Sequence, residues 1–216
     1  MFGLISVRCL NLSKNQTIFE NPVCQPPCWE NITPGLTTKE NALAILSTTE
    51  VVDQPVLDPN RPNIGFDDEI QFTVNYEKGG FSGWVYILDD RVSMIGFQGK
   101  LVTMQNAIKL FGMPESILLV QTGHFDQVTL LNSQKGIAFG YKLFGASSLD
   151  STGVESNIEV SDLAFFDPNQ YERVLDSGNL SAYTLNPEET KRNLHPWKGY
   201  GSFKEKYWPP AIPTTP

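Results

Sequence analysis

The sequence contains few of the residues from which most active sites are built. Among its 216 residues are two histidines, His124 and His195, and three cysteines. A metal site would need both histidines to converge with carboxylates, which their spacing does not indicate. The chain also lacks a Gly-x-Ser-x-Gly elbow, a phosphate-binding loop, a dinucleotide fingerprint and a His-Glu-x-x-His motif. We therefore predict a protein that is not an enzyme and that uses no metal or other cofactor.

Positive charge and long hydrophobic runs are also scarce. Lysine and arginine number 16 against 24 acidic residues, which gives a net charge of −8. An acidic surface repels the phosphate backbone, so we predict no nucleic-acid partner. No apolar run approaches the ~18–20 residues that span a bilayer. The acidic clusters Asp67–Glu69 and Asp89–Asp90 lack the ligand spacing of a calcium loop, so we interpret them as solvated turns.

The N-terminal segment, residues 1–23, has two interpretations. Residues 1–9 resemble the end of a hydrophobic export signal, and Cys9 would then be the lipid-modified cysteine of a lipoprotein. Arg8 breaks the small-residue pattern expected before such a cysteine, which favours an ordinary short segment instead. In both cases we predict a leader or tether, with peripheral membrane attachment through Cys9 as an open alternative.

The other two cysteines, Cys24 and Cys28, are close enough in sequence to form a disulfide in an exported protein. A redox-active pair is less favoured, because such dithiols usually have two intervening residues and lie at a helix N-terminus. Three free thiols in a cytosolic protein are the remaining alternative. We predict a structural Cys24–Cys28 disulfide and an extracytoplasmic location, in the cell envelope or secreted.

Two segments have the pattern of amphipathic helices. Thr37 and Glu40 form a capping box ahead of an apolar stripe, which predicts a helix over 38–47. Thr103 is a candidate cap for a second helix within 101–111.

Three segments with strand periodicity follow each helix. We therefore predict an α+β fold of two tandem helix-plus-three-stranded antiparallel sheet units, residues 24–99 and 100–178, the second with an added strand and a short helix. Residues 179–216 form a C-terminal aromatic tail. The predicted strands are Ile70–Tyr76, Trp84–Leu88 and Arg91–Phe97, then Ile117–Thr122, Asp126–Leu131 and Ile137–Phe144, with the added strand Ile158–Phe166.

Short motifs support a family resemblance over residues 24–144. Gly35-Leu-Thr-Thr precedes the first helix, and Leu110-Phe-Gly112-Met-Pro114 ends the second. This arrangement resembles the BamE-like envelope lipoproteins and the β-lactamase-inhibitor proteins, and Cys-Trp-x-x-Ile-x-Pro-Gly-x-Thr-Thr from Cys28 is similar to a string in uncharacterised bacterial lipoproteins. The resemblance implies an exported binding or scaffold protein and carries over no catalytic residue.

The aromatic tail is the stretch with binding character. Trp197, Tyr200, Tyr207 and Trp208 lie among glycines, prolines and lysines. Such rings can contact a partner protein, stack on sugars, or fold back onto the chain's own sheet. We predict an exported, non-enzymatic protein-binding or scaffold protein of the bacterial cell envelope, whose partner is another envelope or extracellular protein bound on the concave sheet face. The alternative is a carbohydrate-contacting cell-surface protein that uses the tail.

Overall fold

The computed structural model describes residues 19, 23–58, 65–75, 80–121, 124–145, 148–177, 180 and 187–207. The helices are α1 (Lys39–Thr48), α2 (Met104–Phe111), α3 (Tyr171–Asp176), α4 (Pro187–Asn193) and α5 (Phe203–Tyr207), with a 3-10 turn at Pro168–Gln170. The strands are β1 (Val52–Asp58), β2 (Asp68–Val74), β3 (Phe81–Leu88), β4 (Arg91–Thr103), β5 (Ser116–Gln121), β6 (Phe125–Asn132), β7 (Ile137–Phe144), β8 (Gly153–Val154), β9 (Glu159–Phe166), β10 (Leu194–Pro196) and β11 (Gly201–Ser202).

Nine of these strands form one antiparallel sheet in the order β1-β2-β3-β4-β9-β7-β6-β5-β10, and β8 pairs with β11 separately. The prediction of two helix-plus-three-stranded units is therefore wrong, although the fold is a mixture of helix and sheet. The units do not separate because β9 pairs with β4 on one side and with β7 on the other. Inserted between the two groups of strands, β9 makes them continuous.

Local signals placed the two main helices correctly, with one change at the first cap. The N-cap of α1 is Thr38, whose hydroxyl accepts from the Asn41 N–H, whereas the Thr37 hydroxyl accepts from the Thr33 N–H in the preceding turn. The N-cap of α2 is Thr103, as predicted, and Gly112 ends that helix at φ 93°. That backbone conformation suits glycine, which has no Cβ to clash.

Both faces of the sheet carry buried side chains. Successive residues of a strand point to opposite faces, and Phe165 and Phe166 of β9 belong to different hydrophobic clusters. The Phe165 cluster includes Phe111 of α2, and the Phe166 cluster includes Val174 of α3. The expectation of a free concave sheet face for a partner is therefore not met over these clusters.

Candidate functional site

The predicted disulfide is present in the structure. Cys24 and Cys28 are bonded to each other, and the backbone N–H of Asn31 donates a hydrogen bond to Cys24 Sγ at 3.4 Å. The proposed lipid anchor Cys9 and the tail residue Trp208 are outside the described residues. The disulfide thus fixes the turn that follows it, while lipid attachment stays a prediction.

Residues 187–207 of the aromatic tail are attached to the sheet. Strand β10 pairs with β5, with His195 opposite Ile117, and the backbone N–H of Trp197 donates to the Glu115 carbonyl at 2.9 Å. The Tyr207 ring is buried, and its hydroxyl accepts from the Lys198 N–H at 2.8 Å. Tyr207 therefore folds back onto the protein and anchors the segment instead of facing a partner.

Of the two remaining predicted aromatics, Trp197 contacts a methionine at the surface and Tyr200 packs against Trp197. Trp197 is partly buried, whereas Tyr200 is 39% exposed and Met113 is 63% exposed. The indole N–H of Trp197 donates to Met113 Sδ at 3.3 Å, and the rings of Trp197 and Tyr200 pack edge to face at 6.1 Å. We call Met113, Trp197 and Tyr200 the aromatic–methionine patch. Met113 was not predicted as a site residue, because only the β10–β5 pairing brings it next to Trp197.

Two lysines lie beside this patch in a crossed arrangement. Lys198 Nζ donates to the Lys206 carbonyl at 2.7 Å, and Lys206 Nζ donates to the Lys198 carbonyl at 2.8 Å. The Lys198 ammonium also lies 5.7 Å from the centre of the Tyr207 ring, a cation–π distance. We call Lys198 and Lys206 the lysine pair.

His195, in β10, lies close to the ring of Tyr207. Its ring centre lies 6.0 Å from that of Tyr207, and its Nε2 has no hydrogen-bond partner among the described residues. Burial lowers the pKa of His195, and the positive charge of Lys198 lowers it further. The imidazole is consequently neutral at pH 7, and the positive charge of the region comes from the lysines.

The most connected carboxylate elsewhere in the described residues is occupied by internal bonds. Asp162 on β9 accepts from Lys142 Nζ at 3.2 Å, from Gln98 Nε2 at 3.1 Å and from the Ser161 hydroxyl at 2.5 Å. These contacts join β4, β9 and β7 across the sheet. Because both carboxylate oxygens are engaged, Asp162 is a structural residue of the sheet rather than a free base.

The acidic turns also form contacts within the fold. Asp68 pairs with Lys39 Nζ at 2.9 Å, and Asp67 accepts from the Asp89 N–H at 2.7 Å. Over the described ranges, no three His, Cys, Asp or Glu residues are grouped so that they could hold a metal ion. These carboxylates connect the start of α1 to the β3–β4 turn. Asp67, Asp89 and Asp90 are exposed, as predicted, whereas Asp68 and Glu69 begin β2 and Glu69 is buried, so the interpretation as a solvated turn is wrong for these two residues.

Comparisons with known proteins add no assignment. No protein-family model matches the chain, and neither a curated protein nor a solved structure shows significant similarity to it. The resemblance to BamE-like and β-lactamase-inhibitor proteins is not tested by these comparisons and stays a prediction. None of the helices in the described residues combines the length and the apolar character needed to cross a membrane.

Proposed function

We propose that the protein is an exported, non-enzymatic protein-binding protein of the bacterial cell envelope, and that it contacts its partner through the aromatic–methionine patch. The observation that carries this proposal is that Met113 and Tyr200 are exposed next to Trp197, in a segment that is attached to the sheet. Aromatic residues and methionine are enriched in the cores of protein interfaces, where a few such side chains supply most of the binding energy.

The attachment of this segment to the sheet reduces the conformational entropy that the rings of Trp197 and Tyr200 lose on binding. Trp197 directly follows β10, and its backbone N–H donates to the carbonyl of Glu115, the residue before β5. Phe203 and Tyr207 hold the other end of the segment in the core. A side chain that is already ordered before binding loses little conformational freedom on association, which favours affinity.

The disulfide supports an extracytoplasmic location. Cytosolic thiols are kept reduced, whereas disulfides form and persist in the periplasm and outside the cell. Because Cys24 and Cys28 are bonded in this fold, export of the chain is the simpler proposal. A thiol-labelling experiment on freshly lysed cells tests it, because cytosolic protein would be labelled at Cys24 and Cys28 without prior reduction.

A protein partner fits the patch better than a sugar does. Sugars stack on the open face of an aromatic ring, but Trp197 and Tyr200 meet at 82° and do not form a flat platform. The indole N–H of Trp197, a usual donor to sugar hydroxyls, is already directed at Met113. A glycan ligand is therefore the second outcome of the test below.

The test compares a patch variant with a matched surface variant. Trp197→Ala/Tyr200→Ala removes both rings of the patch, and Phe144→Ala removes an aromatic side chain that is 63% exposed at the end of β7. We expect immobilised wild type and Phe144→Ala to retain one envelope protein, and the patch variant to lose it. Hydrogen exchange of the purified complex should show protection around Met113 and Tyr200.

Two results would overturn the proposal, provided that thermal melting shows all three proteins to be folded. One is equal retention of partners by the patch variant and the wild type. The other is selective retention of a defined oligosaccharide, with no protein partner, on a glycan array.

A further inference from the structure

We propose that the lysine pair is a carboxylate-binding site and that the partner at the neighbouring patch is therefore an acidic protein segment. This inference rests on the proposed function, because it assigns the chemistry of the partner at the same surface. The two lysines adjoin the patch, because Lys198 directly follows Trp197 in the chain and Lys206 Nζ lies close to Gly199, the neighbour of Tyr200. An acidic segment that also carries apolar residues is the ligand that matches both features.

The lysine pair has hydrogen-bonding capacity to spare. A lysine ammonium has three N–H donors, and one donor of each ammonium is used by the other lysine's backbone carbonyl. These bonds hold both side chains in place without neutralising them, because a carbonyl carries no net charge. A carboxylate near the pair would accept charge-assisted hydrogen bonds, which are stronger than bonds between neutral groups.

No carboxylate of the described residues neutralises the pair. The ion pairs that the described residues form involve other lysines, namely Lys39 with Asp68, Lys100 with Glu159 and Lys142 with Asp162. A cationic surface on a chain of net charge −8 is complementary to an acidic ligand. Such complementarity increases the association rate and selects the partner.

Glycines make room for this arrangement. A Cβ at Gly201, whose φ is 130°, would approach Lys206 Cε to 3.0 Å, and a Cβ at Gly199 would lie 3.6 Å from Lys206 Nζ. The side chain of Lys206 therefore passes over a turn of two glycines with positive φ. A side chain at Gly201 would push Lys206 aside by a few tenths of an ångström, whereas one at Gly199 would only touch it. A residue other than glycine would strain the backbone at both positions.

The experiment uses the full chain and two designed peptides as probes. One is a fluorescein-labelled, amidated peptide with alternating Glu and Phe residues, and its control has Gln in place of every Glu. By fluorescence anisotropy, we expect the acidic peptide to bind at least about tenfold more tightly than the neutral one. Its affinity should fall as sodium chloride is raised, because salt screens charge.

Lysine variants locate the site. We expect Lys198→Met and Lys206→Met each to weaken binding of the acidic peptide by about tenfold, the scale of one charge-assisted contact. Lys204→Met removes an exposed lysine from the same helix outside the pair and should leave affinity unchanged. The salt titration of the wild type needs no variant, so the inference stays testable even if a substitution unfolds the chain.

The possible failures are distinguishable. Equal binding of both peptides, lost in Trp197→Ala but not in the lysine variants, would overturn the carboxylate site and leave the proposed function standing. Tighter binding of oligogalacturonate, an acidic sugar chain, would overturn the acidic protein partner. Self-association of the wild type in sedimentation, abolished by Lys198→Met, would instead make a second copy of the chain the ligand. Absence of binding by either peptide would also count against the site.

Discussion

Two tryptophans in similar sequence surroundings have different fates in this fold. Trp29 and Trp197 both lie in irregular segments outside the main strands, each with a proline within two residues. Trp29 is 2% exposed, stacks on Phe72 with ring centres 5.4 Å apart and meets the edge of Phe97 at 5.1 Å. Trp197 is only partly buried and ends against an exposed methionine.

The difference comes from where each segment meets the sheet. The turn from Trp29 to Ile32 passes through two left-handed residues, Glu30 and Asn31. It places Trp29 against Phe97 of β4, an interior strand of the sheet. Trp197 instead follows β10, the last strand of the sheet, beyond which none of the described residues forms a further strand. Ring burial is therefore decided by position in the sheet, which the local composition does not encode.

Alanine substitutions should separate the two tryptophans most strongly. We expect Trp29→Ala to lower the free energy of unfolding by about 3–5 kcal/mol, because it removes a large ring from a packed core and leaves a cavity. Trp197→Ala should cost about 1 kcal/mol or less, since part of its ring already faces water. Urea unfolding followed by far-UV circular dichroism measures both. Equal losses for the two variants would contradict the comparison.

Removal of the disulfide should have the next largest effect on stability, and it should act only through the segment that contains Trp29. Chain entropy for so short a loop predicts that Cys24→Ser/Cys28→Ser lowers the free energy of unfolding by about 2 kcal/mol. The bond also orders the turn from Trp29 to Ile32, through the Asn31 N–H donated to Cys24 Sγ. Urea unfolding with and without reductant measures the effect, and the double variant, which has no disulfide to lose, is its own control. Binding at the aromatic–methionine patch should not change.

The parts of the fold that the sequence predicted are those with local signals. Thr103 and Gly112 mark the ends of α2 within a few residues, and hydroxyl caps and glycine stops act over single turns. Strand β1 was missed because Pro55 and Asp58 made it resemble a loop, although a proline is tolerated on an edge strand.

The order of the strands has no such local signal. Gln98 and Asp162 are 64 positions apart and yet face each other across β4 and β9. Periodicity shows that a segment is a strand but not which strand it joins, so two separate units and one continuous sheet share the same pattern. The site shows the same limit. Trp197 and Tyr200 were predicted from composition, whereas Met113, 84 positions from Trp197, was not.

A smaller effect should show how the segment that follows Trp197 is held in place. Tyr207→Phe keeps the buried ring and removes the hydroxyl that accepts from the Lys198 N–H. We expect a loss of about 1 kcal/mol, the usual net value of one hydrogen bond. Hydrogen exchange at the Lys198 amide should accelerate, while exchange at Ile32, in the turn after Trp29, stays slow. Slow exchange at Lys198 in this variant would show that the bond does not hold the segment.

The smallest expected effect is a dependence of stability on pH that arises from His195, two residues before Trp197. Because the pKa of His195 is lowered in the fold, from a value of 6.5, by burial and then by Lys198, the unfolded chain binds the proton more readily than the folded one. Stability should therefore be complete above pH 6.5 and should decline as the pH falls below it. The urea midpoint at pH 7.5 and pH 5.5 measures this decline in the wild type, and His195→Gln should reduce it. His124→Gln, which removes an exposed imidazole from the turn before β6, should retain it. If the urea midpoints of the two variants fell equally between pH 7.5 and pH 5.5, His195 would not be the group that makes stability depend on pH.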